Sequence, residues 1–344
     1  MKEKVLDELK KVFYPGKTHS VLQEGIIDDV VVEGNKVVVK IKTQEKNQAV
    51  IDMLKRSIPI ALKKLDGVED VELVIEKVVD AKDKISDIRY VIATTSGKGG
   101  VGKTTVSVNT ALALAKFGYK VGLLDADIYG PNVPTMMGIE GVPVTLDPNH
   151  KDKILPIEKY GIKVISIGNL VPKDAAVIWR GALIHKAIQQ FLEDVSWGKL
   201  DFLVVDLPPG TGDAQLTLAQ ETKVSGGIIV ITPQNVAMSD AYKANDFFER
   251  LNIPVLGVIE NMSYFICPHC GARTDIFDHG GARRFAEDKG LTFLGEIPID
   301  VEVREGADKG KPIVVADPTS PITQAFEDVV RNIIQRVKEL NQEG

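Results

Sequence analysis

Apolar residues Val5, Leu6, Leu9, Val12 and Phe13 recur at helical spacing, which predicts a first helix over residues 2–13. The runs Val30-Val31-Val32 and Val37-Val38-Val39 flank Glu33-Gly34-Asn35 and predict a hairpin. A second helix is expected over 47–65, on Val50, Ile51, Met53, Leu54, Ile58, Ile60, Ala61 and Leu62, and a third strand over 71–75. The result is a small α-β-β-α-β module of roughly 75 residues, near the lower limit for a self-supporting domain. Residues 78–87 are charged and weakly periodic and read as a linker. The expected division is a small α+β domain over 1–79, a linker over 80–87 and a second domain over 88–344.

Beyond the linker the pattern changes. Near-continuous apolar runs at 88–94, 120–124, 163–167, 202–205, 227–231 and 255–259 suit strands covered on both faces. They alternate with helical segments expected at about 104–117, 182–195, 237–251 and 282–289. This is the pattern of an α/β domain with a doubly wound, mostly parallel sheet. A last amphipathic helix over 322–340 carries Phe326, Val329, Val330, Ile333, Ile334, Val337 and Leu340.

With 344 residues the chain has room for two cores, and its 44% apolar and 26% charged residues are ordinary for a globular protein. No apolar stretch is long enough to span a bilayer, and Met1-Lys2-Glu3-Lys4 opens no export signal, so a cytoplasmic location is expected. A net charge of -6 argues against attachment to nucleic acid or anionic lipid as the main activity. The two cysteines, Cys267 and Cys270, form a close pair that suggests metal binding or redox chemistry ahead of a disulfide framework.

The octet Gly97-Lys98-Gly99-Gly100-Val101-Gly102-Lys103-Thr104 satisfies G-x-x-x-x-G-K-T between a predicted strand and a predicted helix. Glycines let successive N–H groups point inward, the helix N-terminus adds partial positive charge, and Lys103 can reach the outer phosphates. Thr104 is the candidate magnesium ligand, and Thr105 closes the nucleotide-binding set. Two acidic sites follow at strand ends: Asp125-Ala126-Asp127 and Asp206-Leu207-Pro208-Pro209-Gly210-Thr211-Gly212-Asp213. Carboxylates there lie at the ligand edge of a parallel sheet. Asp206 is the candidate carboxylate behind magnesium, and Gly210 and Gly212 let the following loop respond to the terminal phosphate. Asp125 and Asp127 also have a plainer reading as strand-end caps.

Lys98 is a second cation early in the loop, and a solvated lysine at the loop edge is the plain alternative. The octet resembles the deviant Walker A family of septum-site and plasmid-partition ATPases, arsenite and tail-anchored-protein ATPases and nitrogenase iron protein. That resemblance implies ATP hydrolysis in a homodimer, with Lys98 reaching the partner's nucleotide, Asp127 orienting the attacking water and Asp125 supporting the metal. It also implies that Asn261 reads the adenine beside a loop around Pro298 and Asp300. The guanine-reading Asn-Lys-x-Asp of small GTPases is absent, which favours ATP.

Cys267-Pro268-His269-Cys270-Gly271 puts two thiols three residues apart on a tight turn. Two ligands do not complete a metal site. One pair from each subunit of a homodimer gives four thiolates on the symmetry axis, which suits tetrahedral zinc or a four-iron four-sulfur cluster. A structural zinc knuckle and a thiol redox pair are the alternatives. The phosphate loop, Asp125-Ala126-Asp127-Ile128-Tyr129-Gly130-Pro131, Trp179-Arg180-Gly181, the Asp206 segment and the cysteine pair together resemble Mrp/ApbC-type iron-sulfur cluster carrier ATPases over about 88–316. Such a carrier binds a labile cluster, expected as 4Fe-4S, between subunits and transfers it to apoprotein acceptors. The first module resembles the iron-sulfur-assembly domain that often precedes these ATPases. It departs from that pattern at Tyr14-Pro15-Gly16-Lys17 and has no cysteine near 41–47. Docking of an acceptor protein or restraint of the ATPase is its expected role. Two other classes share the nucleotide site: a septum-site or partition-type spatial regulator, and a zinc-bridged dimeric targeting ATPase. The first requires a basic membrane or DNA surface, and the last helix balances Glu327, Asp328 and Glu339 against Arg331, Arg336 and Lys338. The second requires a methionine-rich client groove, and the chain has six methionines in all.

Overall fold

The computed structural model describes residues 1–43, 48–77, 87–169, 181–210 and 212–342, which fall into two units, Met1–Asp80 and Ala81–Gly344. In the first unit α1 (Lys2–Leu9) precedes β1 (Ile27–Glu33) and β2 (Lys36–Thr43), and α2 (Gln48–Leu62) leads to β3 (Asp70–Lys77). β1 and β2 pair antiparallel, whereas β2 and β3 pair parallel with α2 as the crossover. Alternation along β2 buries Val37, Val39 and Ile41 against Val5, Leu9, Leu54, Ile58 and Leu62. The first helix ends at Leu9 and does not run on to residue 13. The Tyr14 amide bonds the His19 carbonyl and Phe13 bridges Ser20, so Val12 is buried from a turn that only imitates helical spacing.

The second unit begins with β4 (Ile88–Thr95), α3 (Lys103–Lys116), β5 (Val121–Asp125) and α4 (Val133–Met137). Short strands β6 (Thr145–Leu146), β7 (Ile154–Leu155) and β8 (Ile157–Lys159) lead to β9 (Ile162–Ser166) and α5 (Gly181–Glu193). Then come β10 (Leu200–Asp206), α6 (Asp213–Glu221), β11 (Gly226–Ile231), α7 (Asn235–Arg250) and β12 (Val255–Ile266). The unit closes with β13 (Arg273–Thr274), α8 (Gly281–Lys289), β14 (Phe293–Ile299), α9 (Val301–Asp308), α10 (Ile313–Ala316) and α11 (Pro321–Gln342). The expected linker lies, except for Asp87, outside the described residues, as do Trp179, Arg180 and Thr211.

The main sheet runs β13-β12-β11-β4-β10-β5-β9-β8, with β14 alongside β12. Its pairs are parallel except β8 with β9 and β12 with β13. One core, with Val106, Leu112, Leu114, Phe326, Val330 and Ile333, brings α3 and α11 onto one face. The other, with Ile184, Ile188, Phe191, Leu218, Phe248 and Phe285, brings α5, α6, α7 and α8 onto the opposite face. This is the doubly wound arrangement the alternating pattern predicts. The central strand β4 lies between β10 and β11, so the chain's path reverses there and opens a crevice at the carboxyl ends of β4, β5 and β10.

Two differences from the sequence reading matter for the site. The strand expected at 255–259 continues to Ile266, because its polar residues Glu260, Asn261 and Ser263 are buried and hydrogen-bonded within the fold. Its extra length pairs with β14, which the apolar runs did not reveal. Among the described residues, no helix is long and apolar enough to cross a membrane. α11 turns Phe326, Val329, Val330, Ile333 and Val337 inward, and outside them Arg331 pairs with Glu327 and Asp328, and Arg336 with Glu339.

Candidate functional site

The octet lies between the end of β4 and the first turn of α3, where Gly102 precedes the helix at φ +77. A Cβ on Gly102 would come within 2.2 Å of the Asn261 amide nitrogen, and one on Gly97 within 2.2 Å of the Asp240 backbone. Glycine is therefore required at 97 by the approach of backbone and at 102 by its left-handed φ. At Gly99 and Gly100 an added Cβ would meet nothing within 4 Å among the described residues, which leaves the middle of the loop the room a phosphate cradle needs. The Ser96 hydroxyl ties the loop to itself by donating to the Lys98 carbonyl at 2.9 Å. Lys98 is half-buried and Thr105 follows on the first turn of α3.

Strand pairing sets the carboxylates. Asp206, at the end of β10, stands in register between Thr94 of β4 and Asp125 of β5. It is fully buried, and its Oδ1 accepts from Lys103 Nζ and Ser107 Oγ, both at 2.7 Å. Its Oδ2 accepts from Thr104 Oγ1, also at 2.7 Å. Lys103 Nζ lies 3.5 Å from Asp127 Oδ2, and Asp127 Oδ1 is buried without a hydrogen-bond partner among the described residues. Loop lysine, loop threonine and two carboxylates thus form one cluster, joined by Ser107, which the motif does not include.

Asp125 stands beside that cluster, in register with Asp206, with hydrogen bonds of its own. It accepts from the Asp127 and Val133 amides and, at 2.7 Å, from the Ser166 hydroxyl. Burial, with the Asp206 charge adding, pushes its carboxyl up to about 8. Asp127 is also raised, chiefly by burial, with Lys103 opposing and Asp206 adding to the rise. The loop after Asp206 is pinned by Gln215, another residue the sequence reading missed. Its Nε2 donates to the Pro208 and Gly210 carbonyls at 2.7 and 2.8 Å, and its Oε1 accepts the Gly212 amide at 3.0 Å. The Gly210 amide in turn donates to Ser96, joining this loop to the phosphate loop.

Asn261 lies under the phosphate loop, where its Nδ2 donates to the Val101 carbonyl at 2.8 Å. Asp300 accepts the Glu302 amide and caps α9. Cys267 and Cys270 are set apart from the carboxylate cluster, in the turn between β12 and the short antiparallel β13. The Cys267 amide donates to Ala272 at 2.9 Å and its carbonyl accepts from Gly271 at 2.8 Å, with Gly271 at φ +70. The Cys267 thiol is held below its ordinary value, first by the Cys270 backbone N–H and then by that of His269. Cys267 is half-buried and Cys270 exposed. Arg273 stacks 4.0 Å from the Tyr264 ring and pairs with Asp275, which braces the hairpin. Among the described residues, no three His, Cys, Asp or Glu side chains gather as a metal site, so the hairpin offers two ligands and no third.

Similarity to known proteins follows the same division. A family model for NUBPL iron-transfer P-loop NTPases matches residues 87–334, and one for iron-sulfur cluster assembly proteins matches 2–73. The iron-sulfur cluster carrier protein of Deinococcus radiodurans is 43% identical over 339 residues, 98% of this chain and 96% of that one. The iron-sulfur cluster carrier protein of Aquifex aeolicus is 52% identical over 258 residues, 75% of this chain and 70% of the other. A nucleotide-binding protein of Archaeoglobus fulgidus, solved in complex with ADP, superposes with TM-score 0.62 at 41% identity, covering 72% of this chain and 95% of that one. The cell division ATPase MinD of Pyrococcus furiosus, at 24% identity and TM-score 0.54 over 72% of this chain and 98% of its own, shares the fold. With the phosphate loop, the paired strand-end carboxylates and the cysteine turn all within the matched span, the chain belongs to the family of NUBPL iron-transfer P-loop NTPases.

Proposed function

We propose that this chain hydrolyses ATP and carries an iron-sulfur cluster, bound between two copies of itself, to apoprotein acceptors. The observation that carries the reading is the hairpin of Cys267 and Cys270. It presents two thiols at the surface and no third ligand among the described residues, so a symmetric partner's pair would complete a four-thiolate site. Ile266, Ile276 and Phe277, all exposed and close to the hairpin in the chain, give such a contact apolar surface. A 4Fe-4S cluster is the cargo this donor set fits, and reduced thiols suit the cytoplasm.

At the phosphate loop the proposed nucleotide set is Gly97, Lys98, Gly99, Gly100, Val101, Gly102, Lys103, Thr104 and Thr105, with Asn261 holding the loop from below. The residues present fit magnesium: the Thr104 hydroxyl is fixed by Asp206, Asp125 stands beside Asp206 on β5, and Asp127 Oδ1 is buried with no hydrogen-bond partner among the described residues. Magnesium, when bound, would neutralise charge on the outer phosphates. Lys103 balances the charge of Asp206 and is placed to reach a terminal phosphate, while Asp127 is the group available to orient a water. Lys98, half-buried at the loop edge, is proposed to act on the partner's nucleotide.

Anaerobic reconstitution with iron and sulfide tests the reading. It predicts about four irons per two chains, dimers on gel filtration, and loss of the cluster to a colourless apo-acceptor. A monomer that retains zinc at the cysteines would contradict it.

A further inference from the structure

Strand β12 touches both halves of the site. Its Asn261 amide donates to the Val101 carbonyl of the phosphate loop, and the same strand runs on to Ile266, directly before Cys267. Between these points its pairing with β14 jumps from Asn261 opposite Ile297 to Phe265 opposite Ile299. Met262 takes φ +57 there, the left-handed region that favours glycine. This irregular stretch is fastened from inside by Glu260, which is fully buried. Its Oε1 accepts from Ser263 Oγ at 2.6 Å and from the Gly280 amide at 3.0 Å, and its Oε2 accepts from the Ala282 amide at 2.7 Å. Gly280 and Ala282 stand at the start of α8, where the chain returns after the cysteine hairpin. One carboxylate therefore holds the outgoing and the returning arm of the cysteine excursion, one residue from the contact with the phosphate loop.

We propose that Glu260 and Ser263 are positioning residues that couple the phosphate loop to the cysteine hairpin, so that nucleotide at the loop changes the accessibility of Cys267 and Cys270. A bulge held by internal hydrogen bonds can settle in discrete arrangements, and both the Val101 contact and the α8 contacts bias it. The inference rests on the nucleotide-binding reading and is independent of the cargo.

The test uses the full-length, cluster-free, reduced protein. Its only two cysteines are Cys267 and Cys270, so iodoacetamide labelling reports on the hairpin alone. Labelling rates are compared without nucleotide and with saturating Mg-ADP or a non-hydrolysable ATP analogue, and nucleotide affinity is titrated on the same samples. Wild type is expected to change its rate at least about fivefold on nucleotide binding. Ser263→Ala, which removes a single hydrogen bond, should bind nucleotide as wild type does while its response falls below about twofold. Glu260→Gln should behave the same way wherever it folds. Nucleotide binding without any labelling response in wild type overturns the coupling, as does a full response in Ser263→Ala. Failure to bind nucleotide overturns the nucleotide reading itself.

Discussion

Lys103 Nζ lies 2.7 Å from Asp206 Oδ1, a fully buried carboxylate that also holds the Thr104 hydroxyl. Substituting Asp206→Asn removes the nearer of the two carboxylates beside Lys103 and leaves the buried charge facing Asp127 at 3.5 Å, a change that costs up to about 3 kcal/mol. The variant is expected to unfold at clearly lower denaturant concentration and to hydrolyse ATP at least about 100-fold more slowly. Chemical denaturation and a phosphate-release assay on the same preparation check both halves.

The position of Lys98 leads to a mixing experiment. Lys98→Ala and Lys103→Ala should each be inactive alone. If Lys98 serves the partner's site, a mixed dimer has one site with both lysines. Random exchange of the two variants should then recover roughly a quarter of wild-type hydrolysis, since half the dimers carry one of two sites. No recovery after verified subunit exchange would place Lys98 in its own subunit's site.

Asp125 gives the free protein a recognisable pH signature. Its carboxyl is raised from 3.8 to about 8, so between those values the native state keeps a proton that the unfolded chain has released. Its contribution to stability is therefore fully present below 3.8, declines as pH rises, and is gone above about 8. Asp125→Asn, whose amide can face Ser166, should lack this decline. Measured without nucleotide or metal, its denaturation midpoint should rise relative to wild type from pH 4 to pH 8 and then run parallel. A constant offset across that range would show that Asp125 is ionised in the fold.

Gln215 holds the loop after Asp206 through Pro208, Gly210 and Gly212. Gln215→Ala should lower kcat between about tenfold and a hundredfold, by loosening geometry near the reacting phosphate, with little change in KM. A raised KM with kcat unchanged would point to a damaged binding site instead.

Much of this arrangement was legible in the sequence because it obeys local rules. The octet announces itself by glycine spacing, and Asp125, Asp127 and Asp206 by their place at the ends of apolar runs. What escaped was tertiary. Ser107, Ser166 and Gln215 carry no spacing signal, because their partners lie 41 to 99 residues away or are backbone carbonyls in a loop. Glu260, Asn261 and Ser263 lie outside the apolar run at 255–259 that predicts this strand, since polarity marks exposure only when no buried partner waits. The apolar residue Val12 misled in the opposite sense, extending a helix that ends at Leu9.

The central claim is that the thiols hold the cargo and the phosphate loop acts on it. The direct measurement is visible absorbance and iron content after anaerobic reconstitution, on wild type and on the Cys267→Ser, Cys270→Ser double variant, with ATP hydrolysis followed alongside. The account predicts a brown wild type and a colourless variant, both folded and both able to hydrolyse ATP. A colourless wild type carrying zinc, or a variant that stays brown, would contradict it.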